Sequence, residues 1–343
     1  MTSQNIYSIP QLTIDGFRLK NVNNITYNNP GNNQLSSLKF TIDDPDFINN
    51  TLLNKEVKFF VNEGGGEPFP VFTGFIRDIR PTDQVLNITA YDCRTLIASR
   101  ESTPVDLTDT HNYDGFTLIQ FLADVIKKND LDISLDMLSE TEPPIPMAGV
   151  RSTQDTAYSL VTNLLKNIVD DSDPRNPLNY VIDVVGKNIV ITKKRTKNDN
   201  GIRFSRNDGI ISMNVNRRAP INKATVFGDN GSSGTFEYGS SPTGSIGTSF
   251  QDKRFKNNAE CTEAAVRIVM AERNEFDEIN LNVSKGYDLG LNNVIYLDVD
   301  DMDVRGEHRI SSKTITFSRG NLNYTIGLDK LGPKASDYVL KGG

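Results

Sequence analysis

The chain has no tryptophan, two histidines and two cysteines in 343 residues, and each scarcity removes a class of function. Cys93 and Cys261 lie far apart in apolar-periodic segments, so two buried thiols are predicted in place of a disulfide, and redox chemistry drops out. His111 stands in the polar turn Thr108-Asp-Thr-His-Asn, and His308 in Arg305-Gly-Glu-His-Arg, which reads as a hairpin tip. Neither spacing matches an H-E-x-x-H zinc helix or a catalytic triad, and both are predicted as solvated loop histidines.

Other signatures are missing as well. There is no G-x-S-x-G elbow, no phosphate loop ending in Gly-Lys-Ser/Thr, and no G-x-G-x-x-G after a strand. Gly64-Gly-Gly66 runs into Glu-Pro and reads as a flexible turn. No apolar run approaches the ~20 residues of a membrane span, and the opening residues show no basic segment followed by an apolar one. The sequence therefore predicts synthesis in cytosol-like solvent without membrane insertion. Positive charge is in deficit, with a formal net charge of −7, which disfavours a surface built to grip phosphate. The one basic cluster, Lys193, Lys194, Arg195 and Lys197, follows a strand-like run and reads as a solvated strand end.

What is present is alternation. Residues 1–105 read as an all-β unit, with strands over residues 35–42, 56–61, 71–79 and 85–91. The last two form a hairpin around Arg80-Pro-Thr-Asp-Gln84, with Phe72, Ile76, Leu86, Ile88 and Ala90 on one face. Residues 106–204 change period. Leu118, Phe121, Leu122, Val125 and Ile126 mark one amphipathic helix, and Tyr158, Val161, Leu165 and Ile168 mark a second, with Ser152 and Asp155 at capping-box spacing. A hairpin turning at Gly186-Lys187 completes a small α+β domain.

Residues 205–332 return to strands, with a helix from about 259 to 274 carrying Cys261, Ala264, Ala265 and Ile268 on one face. Strands over 279–283, 294–299, 310–317 and 322–326 follow, and the last three form a meander. The Gly- and Ser-dense stretch 228–248 reads as a long loop, and Phe236, Tyr238 and Phe250 are its candidate anchors on a partner. Residues 333–343 form a polar tail.

Two carboxylate clusters, Asp43/Asp44/Asp46 and Asp298/Asp300/Asp301/Asp303, are the remaining candidates for chemistry. The second departs from the EF-hand pattern at Met302 and Asp303 and reads as an acidic hairpin tip. No metal, no cofactor and no catalytic residue is predicted.

The segment Val71-Phe-Thr-Gly-Phe-Ile-Arg-Asp-Ile79, a turn, and Leu86-Asn-Ile-Thr-Ala-Tyr-Asp-Cys-Arg-Thr-Leu96 resembles the "G-x-I-x-x-I … I-x-A-x-D-x-x-x-L" hairpin of phage baseplate hub proteins of the late control protein D group. Asp92 is placed to cap a short helix there. The helix around Thr156–Leu165, the hairpin 180–192, and the strand Ile221-Asn-Lys-Ala-Thr-Val-Phe-Gly228 resemble later parts of the same proteins, so the likeness spans nearly the whole chain.

The resemblance implies a β-rich α+β fold with two tube-type β-barrel domains, residues 1–105 and 205–332, around the α+β middle domain. It implies a homotrimeric, non-enzymatic ring that joins the tail tube protein to the central spike protein and the baseplate wedge proteins. Such a ring would sit in the virion tail baseplate, be assembled in the host cytoplasm, and pass DNA without binding it. Three copies at −7 each carry −21, which suits a channel that must not hold phosphate. The alternatives are the hub of a non-viral contractile injection system, a host-surface carbohydrate-binding or glycan-cleaving β protein, and a monomeric tail adapter.

Overall fold

The computed structural model describes residues 10–31, 33–43, 50–62, 67–82, 85–98, 115–137, 156–166, 180–218, 220–239, 245–253, 255–272, 276–286, 288–329 and 331. The first third comprises β1 (Gln11–Ile14), β2 (Phe17–Arg18), β3 (Val22–Asn29), β4 (Ser37–Ile42), β5 (Glu56–Val61), β6 (Phe69–Pro81), β7 (Leu86–Asp92) and the short α1 (Thr95–Ala98). The middle holds α2 (Leu118–Lys128), β8 (Ser134–Met137), α3 (Ala157–Lys166), β9 (Tyr180–Val185) and β10 (Asn188–Lys193). There follow β11 (Arg203–Ser205), β12 (Ile210–Arg218), β13 (Lys223–Phe227), β14 (Ser233–Glu237), β15 (Gly247–Gln251) and α4 (Asn258–Glu272). The chain closes with β16 (Phe276–Val283), β17 (Val294–Val299), β18 (Val304–Ser318) and β19 (Asn321–Asp329).

The β6–β7 hairpin forms as its alternation predicts. Ile76, Leu86, Ile88 and Ala90 are fully buried and Phe72 nearly so, while Asn87 and Thr89 are half-buried and Phe75 turns to the second apolar core, the alternation of a strand with two distinct faces. A bulge between Ile76 and Asp78 shifts the register part-way along, which bends the hairpin and sharpens its twist.

The long β18 organises the remainder. Its first residues pair with β17, Val294 opposite Arg309, and its last with β3, Ile315 opposite Tyr27. Strands from the two ends of the chain thereby enter one sheet in the order β12-β16-β19-β18-β3-β4-β7-β6-β5-β1-β2, with β17 and β11 branching from β18. One apolar core runs through both ends, from Leu12 to Leu328. The β3–β18 pairing leaves no local mark in the sequence, because Tyr27 and Ile315 stand at opposite ends of the chain.

A second apolar core lies under the middle segment, in which Leu118, Phe121, Leu122 and Val125 of α2 meet Leu160, Val161 and Leu165 of α3 together with Cys93 and Ile97. Helix α2 begins on a capping box: the Thr117 hydroxyl accepts from the Gln120 N–H at 3.3 Å, and Gln120 Oε1 accepts from the Thr117 N–H at 2.8 Å. Such a cap is typically worth about 1 kcal/mol. The predicted box at Ser152 and Asp155 lies outside the described residues. The cap found on α3 is Thr156, whose hydroxyl accepts from the Ser159 N–H at 3.2 Å.

The stretch 228–248 is a correction, since it contains β14 and the first two residues of β15. These strands flank β13, β14 antiparallel and β15 parallel to it. Helix α4 covers one face of this sheet with Cys261, Ala264, Ala265 and Ile268, the face its sequence predicts. Two of its glycines are set by close packing, since a Cβ on Gly234 would stand 2.2 Å from the Thr262 nitrogen of α4 and one on Gly228 2.3 Å from the Phe255 carbonyl oxygen, whereas Gly231 and Gly239 turn at positive φ in open space.

Both thiols are free and fully buried. Burial, reinforced by the neighbouring Asp92 carboxylate, pushes Cys93 up to about 12. A maleimide is therefore expected to leave both cysteines unmodified in the native protein and to label both in denaturant. Rapid native labelling of either would contradict this packing.

Candidate functional site

The functional candidate with the most built-in geometry is the joint between the large sheet and the middle domain, and its centre is Arg94. This residue stands two positions past the end of β7 and is 1% exposed, with Asp92 at 2%. The two form a fork: Arg94 Nε donates to Asp92 Oδ1 at 3.0 Å, and Nη2 to Oδ2 at 2.6 Å. Asp92 also accepts from the backbone N–H groups of Arg94 at 3.0 Å and Ser36 at 2.6 Å. It thus stands at the entrance of α1, as the hub-like hairpin implies.

The rest of the guanidinium reaches into the middle domain. Nη1 donates to the carbonyl of Ile182 in β9 at 3.0 Å and to the Tyr158 hydroxyl of α3 at 3.3 Å, and Nη2 donates to Ser36 Oγ at 3.2 Å. The Tyr158 hydroxyl in turn donates to the Asn33 carbonyl, and the Ile182 N–H donates to Asn33 Oδ1 at 2.9 Å. Burial opposes the Arg94 charge, but the Asp92 carboxylate outweighs it and holds Arg94 protonated well above its ordinary range. Bidentate pairing with every donor employed is the arrangement in which a buried ion pair is tolerated.

A second tie lies beside the first. Lys187, at the β9–β10 turn, bridges Glu56 of β5 and Asp132 and sits 5.8 Å from the Phe75 ring. Neither tie contains a nucleophile or a general base placed to act on a substrate. Their chemistry is that of fastening.

The sequence singled out Asp92 and passed over Arg94. The available signal was a charged residue inside a run whose neighbours Ala90, Cys93, Leu96 and Ile97 are all apolar, where an unpaired charge would be intolerable.

The other predicted residues are distributed as follows. Phe236 and Phe250 pack partly buried against the α4 core, while Tyr238 is exposed just beyond β14. Asp298 accepts from Arg203 and lies 3.2 Å from Arg305 Nε, and both oxygens of Asp301 accept from Arg206 Nε at 3.2 Å. These carboxylates are therefore held by arginines around a hairpin turn. Asp43 accepts from the Asn23 side chain, whereas Asp44, Asp46 and His111 lie outside the described residues. His308 is corrected from a loop to a strand: it lies within β18, opposite Ile295 and half-buried, because the hairpin turns earlier, at residues 300–303. Lys193 ends β10, and Arg195 beyond it is fastened through its backbone, its N–H to Asn292 Oδ1 at 2.8 Å and its carbonyl to Arg309 at 3.1 Å.

The surface offers one further feature. Among the described residues, β12 and β2 close the two ends of the sheet order. Each edge carries a large apolar side chain in solvent, Ile211 at 65% and Phe17 at 78% exposure. Open edges with apolar side chains invite pairing with another chain.

No family model matches the sequence, and no curated protein does. Solved structures do. A 43 kDa tail protein of prophage MuSo2 from Shewanella oneidensis superposes with a TM-score of 0.64 at 14% identity, covering 97% of this chain and 99% of that one. A tail protein from Neisseria meningitidis MC58 gives 0.65 at 12% identity, covering 96% and 99%. The fold is therefore that of phage tail proteins, β-rich α+β and matched nearly end to end. The same fold is shared by an E. coli type VI secretion component described as structurally similar to the T4 tail proteins gp27 and gp5. That match has a TM-score of 0.55 at 12% identity and covers 97% of this chain and 79% of the other.

Proposed function

We propose that the protein is a structural subunit of a phage baseplate hub, a homotrimeric ring that joins tail tube to central spike and surrounding baseplate and lines the path of the DNA. The observation that carries this reading is the likeness, over 96–97% of this chain and 99% of theirs, to two tail proteins, one of them from a prophage. In this reading residues 1–105 and 205–332 supply the two tube-type β units of each subunit, and residues 106–204 form a side domain held by Arg94 and Lys187. The exposed edges β2 and β12 suit contacts between subunits, because a head-to-tail contact around a rotation axis closes into a ring. Tyr238 and the segment 228–248 then offer a surface to the wedge proteins, and the work of the subunit is mechanical, with no catalytic residue.

Negative-stain class averages of the concentrated protein are expected to show threefold rings with a central opening. Compact particles without an opening, at every concentration and with the tail partners added, would replace the ring with a monomeric adapter. A second reading, the hub of a non-viral contractile injection system, draws on the likeness to the type VI secretion component and to one chain of a Francisella PdpA-VgrG complex, which matches over 96% of this chain and 54% of that one with a TM-score of 0.57. Tail-completion and capsid genes beside this one favour a phage, and their absence beside a sheath gene favours the other.

A further inference from the structure

A cleft of about 350 Å³ opens where β6, β9, β18 and the loop before β17 converge. Its walls include Phe72, Val184 and Leu289, and its charged lining includes Asp183, Asp288 and Lys313. Asp92 also borders it but is already matched by Arg94. The remaining charge is thus acidic, two carboxylates against one amine. Two strand sides border the space: β9 ends its sheet, and β6 pairs with β7 only from Gly74 onward, so residues 71–73 run beyond that partner.

Neither Asp183 nor Lys313 is comfortable there. Burial raises the Asp183 carboxyl, against the pull of its hydrogen bond from the Val184 N–H at 2.8 Å and of the Arg94 charge. Burial likewise lowers Lys313 to about 8, although Asp288 and Asp183 oppose the shift and its Nζ donates to the Leu289 carbonyl at 2.8 Å. Among the described residues no ion pair engages Asp183. A carboxylate kept in such surroundings weakens the free protein, and groups of that kind mark sites whose complement arrives from outside.

We propose that this cleft receives an arginine or lysine side chain carried on an extended segment of a partner polypeptide. The aliphatic stem would lie along Phe72, Val184 and Leu289, as long basic side chains do on apolar walls, and the cationic head would meet Asp183 and Asp288. The side of residues 71–73 that runs beyond β7 borders the path of the segment that carries it, whereas on the β9 edge Ile182 and the Val184 N–H are already engaged. That the partner is a tail component rests on the hub reading, whereas the side-chain chemistry rests on the cleft.

The test is calorimetric titration of the full chain with acetyl-Val-Arg-Val-amide and with the same peptide carrying citrulline, which keeps the shape and removes the charge. Saturable binding of the arginine peptide, with the citrulline peptide weaker by roughly tenfold or more, is expected for a charge pair in a partly dry site. Asp183→Asn is expected to abolish the preference while leaving the melting temperature equal or higher. Equal binding of the two peptides, no saturable binding of either, or an undiminished preference in Asp183→Asn overturns the proposal. The wild-type comparison decides even if the variant misfolds. Rings without peptide selectivity would sink the cleft and spare the hub, and selectivity without rings would do the reverse.

Discussion

Replacing Arg94 by methionine is expected to cost about 3–5 kcal/mol of stability, the usual penalty for removing one partner of a buried ion pair. The physical cause is what stays behind. Asp92 would remain 2% exposed with its backbone donors but without a cation, and the Ile182 carbonyl would lose its guanidinium donor. The double variant Asp92→Asn/Arg94→Met is expected to recover part of that loss, since an amide is far cheaper to bury than an unmatched carboxylate. Denaturant unfolding of the three variants measures the coupling. Because Arg94 reaches Ile182 and Tyr158, the single variant should also loosen the middle domain first, seen as faster proteolytic cleavage between residues 95 and 180. A loss below about 1 kcal/mol, the scale of an exposed pair, would contradict the burial described.

Gly74→Ala is the second large effect. Gly74 is the glycine of the hub-like hairpin motif, and a Cβ there would stand 2.2 Å from the Tyr91 carbonyl oxygen and 2.5 Å from the Phe72 ring. The strand cannot step aside, because Gly74 pairs with Val57 on one side and Asp92 on the other. A loss at or above the top of the ~1–3 kcal/mol range for overpacking is expected. Since the displaced neighbour leads into Asp92, the effect should be less than additive with Arg94→Met in a double-mutant cycle. Full additivity would mean that hairpin and ion pair are independent.

Much of this architecture could be read locally. The alternation of Leu86, Ile88 and Ala90, the helical face of Cys261, Ala264, Ala265 and Ile268, and the Gly186-Lys187 hairpin each follow from side-chain period and turn chemistry, and the structure places each as its period requires. The failures share a cause. Stretch 228–248 looked like a loop because small residues are the common vocabulary of loops and of close-packed strands, and only the approach of α4 to Gly234 separates the two. His308 looked like a turn residue because the strand continuing through Arg305 and Gly306 is polar. The candidate site was less legible still: of the Arg94 joint, only Asp92 was marked.

By itself, then, the sequence determined the period of the β6–β7 hairpin and of helices α2 and α4, the burial of the two thiols, and the scarcity of histidine, all of which depend on residue type and on neighbours within a few residues. The pairing of β3 with β18, the reach of Arg94 to Ser36, Tyr158 and Ile182, and the tie of Lys187 to Glu56 were decided by tertiary structure alone. Those contacts join residues tens to hundreds of positions apart, and their energies arise only when the chain excludes water around them, a condition that no local pattern encodes.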